Sequence, residues 1–396
     1  QQVSSAASDV YKRQGPAGLM AADFASRSGV EVTLADSMPT FGRKFLMAGK
    51  SGLNLTMHED DITFQTRIIH NNTTIEKALE EFGPIEVIEW ANSLGIKTFV
   101  GSTGRVFPTE MKASPLLRNW ISRLDELGVS RQNRWKLKSI SNKVATFETP
   151  QGLLNKSADG IVLALGGASW PKLGSNGDWK SLFDPAELES FQASNCSFIV
   201  KWSIKMSKYF GQPLKSIKLS AGSQSSRGEI IISQKGIEGG GIYSLSAQLK
   251  KGEDLILDLL PDWDNDKILK LLTIPWGKSS SSNILRKRLK LEPIKQAILR
   301  EFAMDVFKEP ALLTKSIKSL KIPLNGTGPI KTAISTSGGV KMGSIDENFM
   351  LRGRPGIFCA GEMLDWDAPT GGYLITTCLA TGRMAGKRAV QFISHC

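Results

Sequence analysis

A glycine-bearing turn that leads into a small-residue helix constrains this chain more than any other stretch. Gly15-Pro16-Ala17-Gly18 opens an apolar run, Leu19-Met20-Ala21-Ala22-Asp23-Phe24-Ala25, which Gly29 ends. Val30 to Ala35 then alternates as a strand does, and Asp36 and Ser37 close it. Turn, helix, strand and acid in this order make most of a dinucleotide-binding βαβ unit. Gly15 lets the backbone approach a pyrophosphate, whose charge suits a helix N-terminus. Ala17 and Gly18 keep the first turn small enough to pack on a sheet. Asp36, about 20 residues further on, is placed to accept hydrogen bonds from an adenosine ribose.

One part of the pattern is missing. A G-x-G-x-x-G run ending at Gly18 needs its first glycine at 13, where Arg13 stands. The buried strand before it should be rich in Val and Ile, yet Ser8-Asp9-Val10-Tyr11-Lys12 is polar. Residues 1–14 are therefore expected to be a foreign or disordered N-terminal segment, from a truncated or mis-joined gene end. A flexible tail on a fold that starts at residue 15 is the alternative.

Composition removes several classes. No run of 18 apolar residues exists, so no membrane-spanning helix is expected. No basic region followed by an apolar stretch stands at the N-terminus, so no export signal is expected. Cys196, Cys359, Cys378 and Cys396 are scattered without C-x-x-C, and only 3 histidines occur. No disulfide framework or metal site is supported, and a reducing cytoplasm fits. The net charge of +12 permits an anionic partner such as a dinucleotide, a phosphorylated substrate or nucleic acid.

After Asp36, Gly42-Arg43-Lys44 precedes a turn rich in small and polar residues, Gly49-Lys50-Ser51-Gly52-Leu53-Asn54-Leu55-Thr56. Two cations beside a glycine suit a loop crossing a phosphate-bearing ligand. The same stretch also fits a surface loop with solvated charges. Helices are expected over 74–82 and 85–94, broken at Gly83-Pro84, and over 112–127. Ile161 to Leu165 is a continuous apolar strand closed by Gly166-Gly167, where backbone can approach a cofactor. From about 190 the texture changes. Residues 190–330 read as an insert (substrate or cap) domain with β parts and a helical part at about 265–321. Residues 15–189 and 331–396 form the main domain, of α/β class.

The end of the chain repeats the theme of its start. Ile357-Phe358-Cys359-Ala360 is a buried strand that ends at Gly361-Glu362. Thr370-Gly371-Gly372-Tyr373 then opens a helix running to about 393. An acid at 362 can bind hydroxyls of a ribityl chain. The helix start at 371–373 can hold the negative charge that a reduced flavin develops. A plain C-terminal helix with a flexible entry loop is the alternative.

Four segments in this order resemble the YhiN/BaiN-like flavoproteins: Gly42-Arg43-Lys44 with the loop to Thr56, Gly104-Arg105-Val106-Phe107-Pro108, Leu165-Gly166-Gly167-Ala168-Ser169-Trp170-Pro171, and Gly361-Glu362 through Gly371-Gly372-Tyr373. The resemblance runs from Gly15 to about Arg388. It implies a glutathione-reductase-like, Rossmann-type FAD-binding fold interrupted by an insert. It also implies that loop 49–56 and turn 371–373 lie near the flavin. Leu53 stands where many relatives carry Cys, so no thiol chemistry is assigned there. The expected activity is transfer of a hydride from NAD(P)H through FAD to an organic acceptor, at a C=C bond of a small molecule. Reduction of a pyrimidine in RNA and a non-catalytic, flavin-binding redox sensor are the alternatives. The catalytic group is left open among Lys50, Asn54 and Tyr373.

Overall fold

The computed structural model describes residues 15–49, 52–70 and 72–395. The chain gathers around two separate hydrophobic cores, and they divide it into two compact units. One takes the described residues up to Gln192 together with those from Ser335; the other is Ala193–Ile334.

In the first unit, helix α1 (Pro16–Arg27) begins with a proline, whose missing N–H would find no helical partner there anyway. Strand β1 (Thr33–Asp36) is buried along its whole length. The short helix α2 (Arg43–Ala48), strand β2 (Thr56–Met57) and helix α3 (Asp61–Thr66) follow. Helices α4 (Thr73–Glu81) and α5 (Pro84–Ser93) stay separate. Pro84 cannot donate into a continuous helix, and the Glu86 carboxylate accepts the Gly83 N–H at 2.8 Å. Strands β3 (Thr98–Val100) and β4 (Arg105–Pro108) pair antiparallel, with β2 on the other edge of β4. Helix α6 (Ala113–Glu126) buries Leu116, Leu117, Trp120 and Leu124 at helical spacing. It leads into β5 (Ser130–Asn133), which runs parallel to β1. Strands β6 (Lys136–Ser141), β7 (Val144–Thr149) and β8 (Gly152–Ser157) form an antiparallel meander. Then come the fully buried β9 (Ile161–Leu163) and the longer β10 (Leu188–Ser194).

The second unit is built on a six-stranded sheet ordered β11-β14-β13-β12-β15-β16. Its strands are β11 (Phe198–Ile199), β12 (Pro213–Ala221), β13 (Gln224–Ser233), β14 (Gly236–Glu238), β15 (Leu255–Asp258) and β16 (Leu320–Ile322). Two short helices, α7 (Gly240–Tyr243) and α8 (Ser246–Lys250), precede β15. Helices α9 (Asn265–Thr273), α10 (Ser281–Leu289), α11 (Pro293–Phe302) and α12 (Pro310–Lys318) fill the stretch from β15 to β16. The cationic run at 286–290 is not one solvated face. Arg288 donates to the carbonyls of Leu271 at 2.9 Å, Ile274 at 2.7 Å and Pro275 at 3.0 Å. It thereby caps the end of α9, where carbonyls lack helical partners, while Leu289 is fully buried.

The chain re-enters the first unit through β17 (Ser335–Val340), which pairs with β10. Strand β18 (Ile357–Cys359) lies parallel to β9, with Ile357 opposite Ile161 and Cys359 opposite Leu163. The last helix, α13 (Tyr373–Ser394), packs along α1. A Cβ on Gly382 would stand 2.2 Å from the Ala17 carbonyl oxygen, and one on Gly386 2.7 Å from that of Ala21. The two helices therefore meet backbone to backbone. On its other side α1 is tied to α6 through Asp23. Its buried carboxylate accepts from Arg27 Nε at 2.7 Å, Trp120 Nε1 at 2.9 Å and Arg123 Nη2 at 2.8 Å.

Candidate functional site

Strands β9 and β18 lie side by side and both run out into glycine turns. Gly166 (φ 70) and Gly361 (φ 76) take left-handed conformations that a side chain would strain. An indole pins each turn. Trp179 Nε1 donates to the Gly166 carbonyl at 2.8 Å, and Trp366 Nε1 to that of Gly361 at 2.9 Å. The Gly361 N–H donates to Thr381 Oγ1 on α13 at 3.1 Å. A Cβ on Gly361 would stand 2.6 Å from Ala17 Cβ. The end of β18 is thus held against the first turn of α1, where Gly15, Ala17 and Gly18 sit.

Lys44 joins these turns to α2. Its ammonium donates to Glu362 Oε2 at 2.6 Å, Glu362 Oε1 at 2.9 Å and Ser169 Oγ at 2.8 Å. Glu362 Oε1 also accepts the Thr336 N–H at 3.1 Å, and Thr336 Oγ1 accepts the Ala168 N–H at 3.2 Å. Gly167 leaves room for this cluster, because a Cβ there would lie 3.0 Å from the Glu362 carboxyl carbon. Four segments far apart in sequence therefore meet around one ion pair.

The start of α13 forms a second group. Gly371 (φ 116) and Gly372 (φ 107) are both left-handed, and a Cβ on Gly372 would stand 2.4 Å from the Thr56 Cα. Thr376 Oγ1 donates to Thr56 Oγ1 at 2.8 Å. The Tyr373 hydroxyl donates to Glu59 Oε1 at 2.7 Å, and its ring lies 4.7 Å from that of Phe64. Burial first, then the Glu59 hydrogen bond, pushes this phenol well above its ordinary range, so it keeps its proton at neutral pH. Arg105 Nε lies 3.5 Å from where a Cβ of Gly371 would be.

The remaining sequence candidates take these places. Asp36 ends β1, is buried, and accepts the Met38 N–H at 2.7 Å. Ser37 follows it, half-buried. Gly42 (φ 67) precedes α2 against Leu117, and Arg43 begins that helix. Asn54 is half-buried in the segment before β2. The buried atoms Arg43 Nε, Asn54 Oδ1 and Arg105 Nε have no hydrogen-bond partner among the described residues. Lys50 lies outside the described residues, as do residues 1–14. Contacts bring Lys44, Gly167, Glu362, Gly361 and Ala17 together. Tyr373 is not in that group; its partner is Glu59.

The donor set suits FAD. The first turns of α1 and α13 carry no acidic residue to compete with a bound anion. Gly15 precedes Pro16 at the α1 N-terminus, where backbone N–H groups lack helical partners and could face a pyrophosphate. Asp36 and Glu362 carry carboxylates that could accept from sugar and ribityl hydroxyls. Burial pushes the Cys378 thiol up to about 12, and that of Cys359 higher still. Both stay protonated at neutral pH, the less nucleophilic form of a thiol. Thr336 and Glu59 are absent from the sequence candidates, and Ser169 and Thr56 enter the sequence reading only as members of the segments 165–171 and 49–56. Ser169 and Thr336 share a faint signal, a hydroxyl residue within two positions of a glycine pair. Glu59 has none.

The model of the HI0933-like protein Rossmann domain matches residues 14–388. A ribosomal RNA dihydrouridine synthase of Escherichia coli is 23% identical over 374 residues, covering 91% of this chain and 92% of that protein. A 3-dehydro-bile acid delta(4,6)-reductase of Clostridium scindens is 22% identical over 417 residues, covering 95% and 97%. Among solved structures, a 3-ketosteroid-delta4-(5alpha)-dehydrogenase of Rhodococcus jostii RHA1 has the same fold, with a TM-score of 0.50 at 14% identity over 99% of this chain and 98% of that one. The chain belongs to the HI0933-like Rossmann family and is an FAD-dependent oxidoreductase of it.

Proposed function

We propose that this chain reduces a C=C bond conjugated to a carbonyl in a small organic acceptor, with NAD(P)H as the hydride donor. The observation that carries the reading is the end-to-end match to two proteins whose names describe such reductions. Dihydrouridine is uridine with one ring double bond saturated, and a delta(4,6)-reductase saturates ring double bonds. FAD supplies the hydride chemistry when bound. The protein's part is placement. Asp36, the first turn of α1, Glu362 and the start of α13 are the groups that would hold FAD. Tyr373 keeps a proton next to Glu59, which is half-exposed. This pair is the proposed source of the proton that must join the second carbon of the reduced bond. No helix among the described residues is long and apolar enough to cross a membrane. The buried thiols of Cys359 and Cys378 suit the reducing cytoplasm that this reading assigns.

A second reading, with RNA as acceptor, rests on where the charge lies. The second unit carries 23 of the 50 basic residues and 12 of the 38 acidic ones, a net +11, against +1 for the rest of the chain. Such an excess on one unit is the electrostatic footprint of a polyanion. The two acceptors are separated by replacing Arg286, Lys287 and Lys290 with Gln. Arg288 is left alone because it caps α9. The small-molecule reading expects unchanged turnover with a cyclic enone. A steep, salt-dependent loss of RNA binding, with RNA reduced by the unaltered enzyme, would make RNA the acceptor.

A further inference from the structure

The cations at 43–44 sit where a phosphate ligand is expected, but Lys44 is engaged from within the protein by a carboxylate and a hydroxyl. An ammonium has three N–H donors. Lys44 has three acceptors, both oxygens of Glu362 and Ser169 Oγ, all within 2.9 Å. Glu362, with about four lone-pair positions, accepts Lys44 twice and the Thr336 N–H once. One accepting direction is left for a ligand hydroxyl. The carboxylate side chain is only 13% exposed and the lysine 25%. Its surroundings are tightly drawn: the Gly167 turn lies close to it, Ser169 Oγ accepts from its partner Lys44, and its partner Thr336 accepts the Ala168 N–H through Oγ1.

We propose that Lys44 is a positioning residue that acts through Glu362. It fixes the carboxylate for the ribityl hydroxyls of the flavin and is not itself a ligand of the pyrophosphate. The inference rests on the FAD reading. It assigns phosphate binding to the α1 first turn, leaving Lys44 to a hydroxyl-binding device more than 300 residues long in sequence separation.

The test is a double-mutant cycle read by FAD fluorescence, with no turnover involved. Lys44→Met and Glu362→Gln are each expected to weaken FAD binding by about 10- to 100-fold, the scale of a lost charge-assisted hydrogen bond. The double variant should be no weaker than the worse single one, because both changes remove the same device. Lys44→Arg keeps the cation and should lie nearer the unaltered protein than Lys44→Met; this variant also controls for a folding defect. Riboflavin keeps the ribityl chain but lacks phosphate, so Lys44→Met should weaken riboflavin by the same factor as FAD. Additive losses in the cycle would show that Lys44 does not act through Glu362, and a loss confined to FAD with riboflavin spared would make Lys44 a phosphate ligand; either overturns the inference while leaving the FAD reading intact. Failure of the unaltered protein to bind FAD at all would overturn both.

Discussion

Gly382→Val is expected to destabilise the first unit by about 3 kcal/mol, the upper end for an overpacked core, and to release FAD with it. The side chain would have to occupy the space of the Ala17 carbonyl, Cα and carbonyl carbon, all within 2.7 Å of where its Cβ would be. Those atoms are helix backbone and cannot swing aside as a side-chain tip can. Helix propensity alone argues the other way, since replacing a helical glycine gains up to about 1 kcal/mol. The clash is the larger effect, so even Gly382→Ala should lose stability where propensity expects a gain. Pushing α13 from α1 moves Gly15 to Gly18 away from Gly361, which explains why cofactor affinity should fall together with the urea midpoint. Gly343→Ala is the control, because nothing lies within 4 Å of its Cβ position. Its change should stay within about 0.5 kcal/mol, as for ordinary surface substitutions.

Asp23→Ala should cost about 3–5 kcal/mol, the range for removing one partner of a buried ion pair. Asp23 is 2% exposed, and its loss strands the Trp120 indole N–H and leaves the Arg123 guanidinium, whose side chain is 16% exposed, with the Ser93 hydroxyl but no counter-ion among the described residues. Burial already pushes the Arg123 guanidinium below its ordinary range, with Asp23 the main opposing influence. Arg27 contributes little to this figure, since its side chain is 49% exposed and solvent screens it. Adding Arg123→Met to Asp23→Ala removes the stranded charge and should recover part of the loss. Denaturant melts of the two single variants and the double variant check this; a double variant no more stable than Asp23→Ala would show that the pairing with Arg123 is not what matters.

The fold class was legible because its signals are local. Gly15-Pro16-Ala17-Gly18, the alternation up to Asp36, and the buried run 357–360 before Gly361 each mark an element by composition and period. They correspond to α1, β1 and β18. The break at Gly83-Pro84 was equally legible, because proline chemistry acts on its own neighbours. The wiring of the site was not. Lys44 and Glu362 are 318 positions apart, and Tyr373 and Glu59 are 314 apart. No periodicity records such a partnership; only the packing of α13 on α1 and of β18 beside β9 creates it. Arg288 is a further case. Read along the sequence it belongs to a basic run, whereas its hydrogen bonds go to three carbonyls at the end of a neighbouring helix. The polar stretch at 8–12 and Arg13, expected to lack a nucleotide-binding strand, lie outside the described residues.

The most direct test of the proposed activity begins with protein saturated with FAD, reduced by light without oxygen and mixed anaerobically with a cyclic enone. The flavin absorbance reports its oxidation state, and mass spectrometry reports the acceptor. The expected result is return of the oxidised flavin band together with a product heavier by one hydrogen molecule, at a rate that rises with enone concentration. A flavin that stays reduced in the presence of enones and RNA alike, and is reoxidised only when oxygen is admitted, would contradict C=C reduction as the function of this chain.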